Sequence, residues 1–430
     1  MKKSIIGFAG LTHLGLNSLV ASAEKGFSVV GFHEDDSLVE NLRNGIININ
    51  EPQLLDYYQK NKKKINFSSD PNSLKQCDII YISTDVPTDN FGLSDLTLVN
   101  KLINIVISNM NSSAILVILC QVPPGFTRLI KWPSHQIFYQ VETLIFGRAF
   151  DRALNPERFI IGSFDKTKKL PESYITYLES FSCPILKMSY ESAELAKISI
   201  NMFLVSSVTT SNILAELCEK IGADWFEIIP ALKLDKRIGP FAYLNPGLGI
   251  AGGNLERDLR TVVDFSKKHN TDANTVSSWI NNSIYRKKWA WDLIKNLILI
   301  TQNNIKPSFA ILGLTYKENT HSIKNSASIE LLEKLKDYPV KVYDPGAHDD
   351  FNIQNVIRVS KMEDTLNGAD FLIIMTPWEE FKSLSINEIK NRMKGDFIID
   401  PFKVLDETTL INLGFTYKTL GKKSEINADY

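Results

Sequence analysis

Two glycines near the start of the chain, Gly10 and Gly15, follow a short apolar run and precede a stretch with helical periodicity. This context is typical of the turn between the first strand and the first helix of a dinucleotide-binding fold. Gly10 would form the tight turn, and Gly15 would allow the helix to pack closely on the strand. The first helical turn, which includes Leu14, would present backbone N–H groups to a pyrophosphate. The turn therefore predicts an adenine-dinucleotide site, although a structural glycine turn in any doubly wound fold would look similar.

Two positions near this turn depart from the usual pattern. Thr12 stands where a middle glycine normally lets the phosphates approach the backbone, so its side chain must tilt away or bind phosphate itself. His33 ends the second predicted strand, where an acidic residue normally binds the ribose hydroxyls, and Glu34 or Asp35 could substitute if the loop is shifted. Because an imidazole cannot bind two hydroxyls as a carboxylate does, we expect poor cofactor selectivity, and the choice between NAD and NADP stays open.

A second candidate for chemistry is the pair Lys197 and Asn201, which lie four residues apart in a helical pattern. At this spacing both side chains project from one face of a helix. An isolated pair of this kind is more often a lysine whose stem covers apolar surface and an asparagine without a special role. The flanking sequence must therefore decide whether the pair belongs to a site.

The elements that would position these residues change in character along the chain. Short apolar runs alternate with amphipathic stretches in the N-terminal part, as in βαβ units, with strands expected at 4–9, 28–32, 78–83 and 114–119. Helical periodicity then dominates at 193–217 and 273–300, and strands are expected again at 309–312, 340–343, 371–375 and 397–399. The pattern predicts an α/β protein with two Rossmann-like doubly wound domains joined by a helical central domain that contains a long helix. We expect domain bounds of 1–185, 186–302 and 303–430.

Composition and charge exclude several classes of partner. The formal net charge of -1 over 430 residues gives no attraction to nucleic acid or to an anionic membrane, so small molecules are the expected partners. The apolar stretches at 114–119 and 297–300 are far shorter than a membrane span requires. The four cysteines lie far apart without metal-ligand spacing, which predicts reduced thiols, a cytoplasmic protein and no metal site: Cys77, Cys120, Cys183 and Cys218.

A series of motifs follows in order along the rest of the chain. They lie at 86–89, 120–127, 141–144, 155–158, 192–201, 235–239, 245–249, 313–317, 343–345 and 376–378. Together they resemble the UDP-glucose/GDP-mannose dehydrogenase family, whose members oxidise the C6 alcohol of a nucleotide sugar to a carboxylate with two equivalents of NAD. The resemblance implies an NAD-dependent enzyme acting on CH–OH, a nucleotide-sugar substrate, a homodimer and a place in polysaccharide biosynthesis.

The resemblance also assigns roles to individual residues. Lys197 and Asn201 match the lysine and asparagine that project into the active site from a long central helix. Glu142 matches the glutamate of an Asn-Pro-Glu-Phe-Leu motif, and Gln121 replaces a threonine near the cofactor and the reacting carbon. Asp258 matches the aspartate that ends a Cys-Phe-Pro-Lys-Asp segment. The substrate would contact four more residues, the first of them across a dimer interface: Arg237, Asn245, Gly249 and Lys317.

One departure bears directly on the chemistry. In the family a cysteine thiolate traps the intermediate aldehyde, a second hydride leaves, and the resulting thioester is hydrolysed. Asn254 occupies the position of that cysteine, and an amide nitrogen is not a usable nucleophile at neutral pH.

Two classes of function stay open from the sequence. The first is an active dehydrogenase that performs one oxidation, or two through a free gem-diol, in which Lys197, Asn201 and Asp258 orient a water or polarise the reacting oxygen. Asn254 would then bind a carbonyl or a hydrated aldehyde. The second is a catalytically silent protein that binds a nucleotide sugar. The retained polar residues favour the enzyme, whereas the changes near the cofactor and the reacting carbon favour the silent protein: Thr12, His33, Gln121 and Asn254.

Overall fold

The computed structural model describes residues 3–89, 92–301, 306–348 and 351–423. The chain forms two compact units, Met1–Ile200 and Asn201–Tyr430, and each contains one sheet.

The sheet of the first unit has eight strands in the order β3-β2-β1-β4-β5-β6-β7-β8. The strands are β1 (Ile5–Ala9), β2 (Ser28–Phe32), β3 (Ile65–Ser68), β4 (Ile79–Ile82), β5 (Ile115–Ile118), β6 (Ile137–Gln140), β7 (Phe159–Ser163) and β8 (Ile185–Ser189). All neighbours pair in parallel except β6 and β7. The order of the first six strands is that of a doubly wound dinucleotide fold, with its switch point between β1 and β4.

Helices cover both faces of this sheet, which explains why its central strands are apolar throughout. They are α1 (His13–Glu24), α2 (Asp36–Arg43), α3 (Leu54–Asn61), α4 (Thr97–Asn109), α5 (Ala149–Leu154) and α6 (Glu172–Glu179). Every residue of β4 and β5 is buried. The turn between β1 and α1 contains Gly10, so the fold brings the predicted cofactor turn to the switch point.

The long helix α7 (Tyr190–Ile221) has 32 residues and begins directly after β8. In the described part of the chain it is the one helix long and apolar enough to cross a membrane by length and composition. The two shorter apolar stretches considered in the sequence did not predict this property of α7. The core helix of a soluble protein meets the same criteria. Glu194 near the start of α7 is fully buried and accepts backbone hydrogen bonds from Gly125 and Thr127, so this part of α7 packs within the first unit.

The second unit contains a six-stranded parallel sheet in the order β11-β10-β9-β12-β13-β14. Its strands are β9 (Phe309–Leu312), β10 (Val340–Tyr343), β11 (Val356–Arg358), β12 (Phe371–Ile374), β13 (Phe397–Ile399) and β14 (Thr416–Lys418). The helices are α8 (Trp225–Leu234), α9 (Asn254–His269), α10 (Asn274–Lys287), α11 (Trp289–Thr301), α12 (Ala327–Lys334), α13 (Met362–Thr365), α14 (Ile386–Arg392) and α15 (Glu407–Asn412). This order again reverses direction at its first strand, β9, as a doubly wound sheet does.

These two sheets and the long helix confirm the predicted fold class. The eight predicted strands are present, and their ends differ by at most one residue from those expected. The stretch at 273–300, where helical periodicity was expected, forms the two helices α10 and α11, and α10 ends where the Lys288 N–H bonds to the Tyr285 carbonyl three residues back. The division of the chain into three domains at residues 185 and 302 stays a prediction.

Candidate active site

The glycine turn at β1–α1 requires both of its glycines. Gly10 has a φ of +99°, and a Cβ there would lie 2.8 Å from the Thr84 backbone nitrogen. A Cβ on Gly15 would lie 1.9 Å from the Gly10 carbonyl oxygen. Leu14 is buried in the core, so only its backbone in the first turn of α1 is available to a ligand.

The side chain of Thr12 is used by the protein itself. Its hydroxyl accepts a hydrogen bond from the Asp85 N–H at 2.9 Å and donates to the Ser83 carbonyl at 3.4 Å. These bonds tie the glycine turn to the segment after β4. Of the two possibilities for Thr12, the structure therefore shows the side chain tilted away from the turn.

His33 follows β2, at the position where the ribose of a dinucleotide is expected. Burial lowers its pKa, against the opposing effect of the Asp35 and Glu34 carboxylates, and its Nδ1 accepts a bond from the Asp35 N–H at 3.1 Å. Asp35 caps α2 by accepting from the N–H groups of Ser37 and Leu38. Glu34 pairs with the Lys101 ammonium at 2.8 Å. Both carboxylates that could have substituted for a ribose-binding acid are therefore engaged elsewhere.

Asp85 adds a carboxyl group beside the start of α1. Desolvation by the surrounding protein raises the pKa of this carboxyl, although part of the Asp85 residue is exposed to solvent. The His13 imidazole and the Thr12 hydroxyl lower the pKa, and the Glu142 carboxylate raises it. The net direction is upward, so Asp85 ionises less readily than a carboxyl in water. Sequence reasoning did not single out this residue.

The side chains of Glu142 and Lys197 lie close together. The Lys197 ammonium lies 3.4 Å from the Glu142 carboxylate, and both side chains are mostly buried. Glu142 follows β6 and also accepts a hydrogen bond from the Leu144 N–H, which fixes the carboxylate in its own loop. The geometry holds an ammonium group at the head of α7, where it can stabilise negative charge on a reacting oxygen.

Asn201 and Asp258 also meet. Asn201 lies one turn beyond Lys197 in α7, and its amide donates to the Asp258 carboxylate, which is almost fully buried. The guanidinium of Arg257 lies 3.3 Å from the other Asp258 oxygen. Asn254 begins α9 and precedes Asp258 by four residues, so both project from one face of that helix. Asn201 and Asp258 are therefore in contact in the second unit, and Asn254 lies one helical turn before Asp258.

The loop before α9 presents Asn254. Gly249 has a φ of +82°, and a Cβ there would lie 2.5 Å from the Ser283 carbonyl oxygen. The hydroxyl of Ser283 accepts from the Ile250 N–H at 2.7 Å. The Gly252 N–H donates to the Lys324 carbonyl at 3.1 Å. These bonds fix the loop, and Asn254 stays exposed at its end. The sequence offers no signal for Ser283, because it is one polar residue in an ordinary helix.

The predicted substrate residues are placed separately. Arg237 forms a bidentate ion pair with Asp235 in its own loop, and its side chain is 90% exposed. Asn245 is exposed and Lys317 is half-buried. Gln121 is also half-buried and precedes the loop at 123–127, which Glu194 holds through two backbone N–H groups. Within the described residues, no group of three or more histidine, cysteine or acidic side chains could hold a metal ion.

A doubly wound sheet with a glycine turn at its switch point, next to a buried lysine–glutamate pair, defines the class as a dinucleotide-binding oxidoreductase. The chain belongs to the UDP-glucose/GDP-mannose dehydrogenase family. The NAD binding domain of that family matches residues 2–177, the central domain matches 191–283, and the UDP binding domain matches 310–407.

Similar proteins cover almost the whole chain. UDP-glucose 6-dehydrogenase of Rickettsia prowazekii is 28% identical over 436 residues, which span 97% of this chain and 99% of the relative. UDP-glucose 6-dehydrogenase of Bacillus subtilis is 27% identical over 440 residues, with 98% and 94% covered. The solved UDP-D-ManNAc dehydrogenase of Pyrococcus horikoshii superposes with a TM-score of 0.83 at 23% identity and covers 97% of this chain and 99% of its own, a likeness of fold.

The cofactor of the chain is NAD, and its activity is that of an NAD-dependent oxidoreductase acting on CH–OH groups. The residues present fit the group, because the turn at Gly10 and Gly15 opens α1 at the switch point, where its N-terminus would hold the pyrophosphate. When bound, NAD supplies the acceptor for a hydride. His33 would lie beside the ribose as a single hydrogen-bonding group.

Proposed function

We propose that the chain oxidises the C6 alcohol of a UDP-glucose-like nucleotide sugar with NAD and completes only the first oxidation efficiently. The family and the relatives named UDP-glucose 6-dehydrogenase support the substrate class. The observation that supports the rest of the proposal is Asn254, which begins α9 one turn before Asp258, at the position that the resemblance gives to a nucleophilic cysteine. Without a thiolate the aldehyde is not held by a covalent bond.

The polar side chains would have different roles in the first oxidation and in the hydration of the aldehyde that follows it. NAD, when bound, would supply the acceptor for the hydride from C6, and the hydroxyl proton must pass to a base of the protein. The Lys197 ammonium would stabilise the negative charge that develops on the oxygen, and Glu142, 3.4 Å from it, would hold the lysine and can take up the proton. Asn201 and Asp258 would orient the water that hydrates the aldehyde, and Asn254 would bind its oxygen through the amide.

The product ratio tests this proposal. Purified protein is incubated with UDP-, GDP- and TDP-sugars and NAD, the NADH formed per sugar consumed is measured, and the products are identified by mass. We expect about one NADH per sugar and an aldehyde that a hydrazine reagent captures, because release competes with a second hydride transfer once attachment is lost. Clean formation of the uronic acid at two NADH per sugar, without a trappable aldehyde, would refute the uncoupling.

A catalytically silent nucleotide-sugar binder is the second candidate. The observation that favours it is the ribose position, where His33 replaces an acid while Asp35 caps α2 and Glu34 pairs with Lys101. Calorimetry separates the two functions. Binding of a UDP-sugar without any binding of NAD or NADP at millimolar concentration would establish the silent protein.

A homodimer is supported by the apolar surface of α7. Ile213, Leu217 and Ile221 repeat every four residues along this helix, and at least half of each side chain is exposed. Phe203 in the same helix is also 77% exposed. An exposed apolar row such as that of Ile213, Leu217 and Ile221 is typical of an interface. We expect light scattering to give the mass of a dimer, and Leu217→Glu to give monomers. The control is Ile411→Glu on α15, a residue of equal exposure, and a monomeric parent protein would contradict the proposal.

We propose the cytoplasm as the compartment. The four cysteines are free in the structure and three of them are buried, as is usual where thiols stay reduced. Cell fractionation with an antibody against the protein tests this proposal, and recovery in the membrane or secreted fraction would contradict it.

A further inference from the structure

A buried carboxylate outside the predicted site links two of its loops. Glu51 lies between α2 and α3, and its side chain is 1% exposed. One oxygen accepts from the Gly147 N–H at 2.8 Å and lies 2.7 Å from Nε2 of His13. The other oxygen accepts from the Ala149 N–H at 2.9 Å. A single carboxylate therefore receives three hydrogen bonds.

The partners of Glu51 come from two different parts of the chain. His13 is the first residue of α1, directly after the cofactor turn. Gly147 and Ala149 belong to the loop that follows Glu142 and to the start of α5. The His13 ring also contacts the Phe146 ring of the same loop, with centroids 4.2 Å apart. The cofactor turn and the loop after Glu142 are thus joined by one carboxylate and one ring contact.

The charge on Glu51 makes this link strong. Burial raises the pKa of its carboxyl, but the hydrogen bond from His13 and the two backbone N–H groups lower it, and the net direction is downward. Glu51 is therefore ionised at neutral pH, and hydrogen bonds to a charged acceptor are stronger than those between neutral groups. The other carboxylates near this region, Asp85 and Glu142, interact with each other and with His13 or Lys197.

We propose that Glu51 is a positioning residue that fixes the loop carrying Glu142 relative to the cofactor turn, with His13 as its contact on the cofactor side. The proposal rests on the proposed function for its kinetic consequence. Displacement of the loop would move Glu142 away from Lys197 and slow hydride transfer, since small displacements of catalytic groups have large effects on rate. Loss of the His13 contact alone would instead disturb the turn that holds NAD.

Hydrogen exchange on the protein without NAD tests the link independently of catalysis. In Glu51→Gln a single carboxamide oxygen must accept the hydrogen bonds that two carboxylate oxygens accept in the parent protein. The NH2 group of the glutamine would then face one of the N–H donors. We expect the amides of Gly147 and Ala149 to exchange about tenfold faster or more, because local opening becomes easier. The matched control is Glu40→Gln on α2, whose side chain is 62% exposed. Equal exchange in the two variants would overturn the proposal.

Kinetics then separate positioning from a loss of folded protein. We expect Glu51→Gln to lower kcat about tenfold or more, with a smaller change in KM for the nucleotide sugar. The kcat is expressed per folded active site, and the amount of folded protein is determined by thermal unfolding and active-site counting. His13→Phe keeps a ring against Phe146 but removes the Nε2 donor, so it should raise KM for NAD while Gly147 and Ala149 stay protected. Two outcomes would overturn the assignment of Glu51 as a positioning residue. The first is fast amide exchange of Gly147 and Ala149 in His13→Phe. The second is an unchanged kcat in a Glu51→Gln protein whose loop amides exchange fast. If the parent protein proves silent, the exchange result still decides whether Glu51 fixes the loop.

Discussion

Replacing Asn254 by cysteine tests how much of the second oxidation depends on a thiolate. Asn254 is exposed at the first position of α9, so the substitution removes no buried contact and should change stability by about 0.5 kcal/mol or less. The variant keeps the loop geometry that Ser283 and Lys324 impose through Ile250 and Gly252. The introduced thiol is then presented at the N-terminus of a 16-residue helix.

The position favours ionisation of that thiol. A negative charge in the first turn of a helix is stabilised by about 0.5–1 kcal/mol, which lowers the pKa of a thiol by about half a unit from about 8.5. The Asp258 carboxylate one turn away is paired with Arg257 at 3.3 Å and so opposes this effect only weakly. At pH 7.5 the thiolate fraction would rise from about 10% to about 25%, and at pH 8.5 it would exceed about half.

We therefore expect Asn254→Cys to raise the NADH formed per sugar from about one towards two, with a larger increase at pH 8.5 than at pH 7.5 and less trapped aldehyde. Asn254→Ser is the matched control, because a hydroxyl of similar size stays protonated and should leave the ratio near one. Labelling with iodoacetamide establishes that the thiol is accessible. An accessible, ionised thiol with an unchanged ratio and an unchanged yield of aldehyde would refute the reasoning that the missing thiolate separates the two oxidations.

Three further substitutions have separate expected results. Asp258→Asn weakens the buried ion pair with Arg257 and should lower the free energy of unfolding by about 3 kcal/mol in a urea titration and reduce kcat, whereas an unchanged midpoint would contradict the role of the pair. The pKa of the Asp85 carboxyl is raised, so this group gains its negative charge as the pH rises through that pKa, and the charge disfavours anionic NAD. NAD should therefore bind the parent protein less tightly at higher pH. Calorimetry should show a weaker pH dependence of binding in Asp85→Asn, which lacks the carboxyl. Glu194→Gln leaves the N–H groups of Gly125 and Thr127 with one good acceptor and should cost about 1–2 kcal/mol of stability, whereas Glu191→Gln, at a side chain 41% exposed, should cost less.

The central strands could be predicted from the sequence because they are buried on both faces. The apolar runs of β1, β4, β5, β9 and β12 stand out from the amphipathic stretches on either side. The edge strands could not be found in this way. β3 contains only four residues, one of them an asparagine, and β11 and β14 contain three residues each with charged side chains. Short strands at an edge take their conformation from a neighbouring strand instead of from an apolar pattern.

The site was predictable only where a motif placed residues on one element or in a known order. Lys197 and Asn201 share a helix, so their common face follows from their spacing. The resemblance singled out Lys197 and Glu142 separately, but nothing in the sequence predicted the contact between them. Glu51 and Glu194 were missed, because a buried carboxylate that accepts backbone N–H groups from a distant loop looks like any surface acid in sequence.

The energetics of the buried polar residues bear on whether the protein is active. A buried ion pair seldom stabilises a fold, because removing two charges from water offsets most of their attraction, and apolar residues of similar volume are often at least as stable. Asp258 and Arg257 are both at least 95% buried, and the Asp258 carboxylate also receives the Asn201 amide. A protein that only bound a nucleotide sugar would gain no stability from this arrangement, nor from an ammonium held against Glu142 in a mostly buried position.

Thr12, one of the changes that favoured a silent protein, is accounted for by its bonds to Ser83 and Asp85, so it does not count against NAD binding. The remaining evidence for silence lies at His33, Gln121 and Asn254. His33 affects the affinity for the cofactor, and Asn254 removes the nucleophile that the second oxidation needs, so only Gln121 bears on the first oxidation. The balance favours an active enzyme whose first oxidation survives.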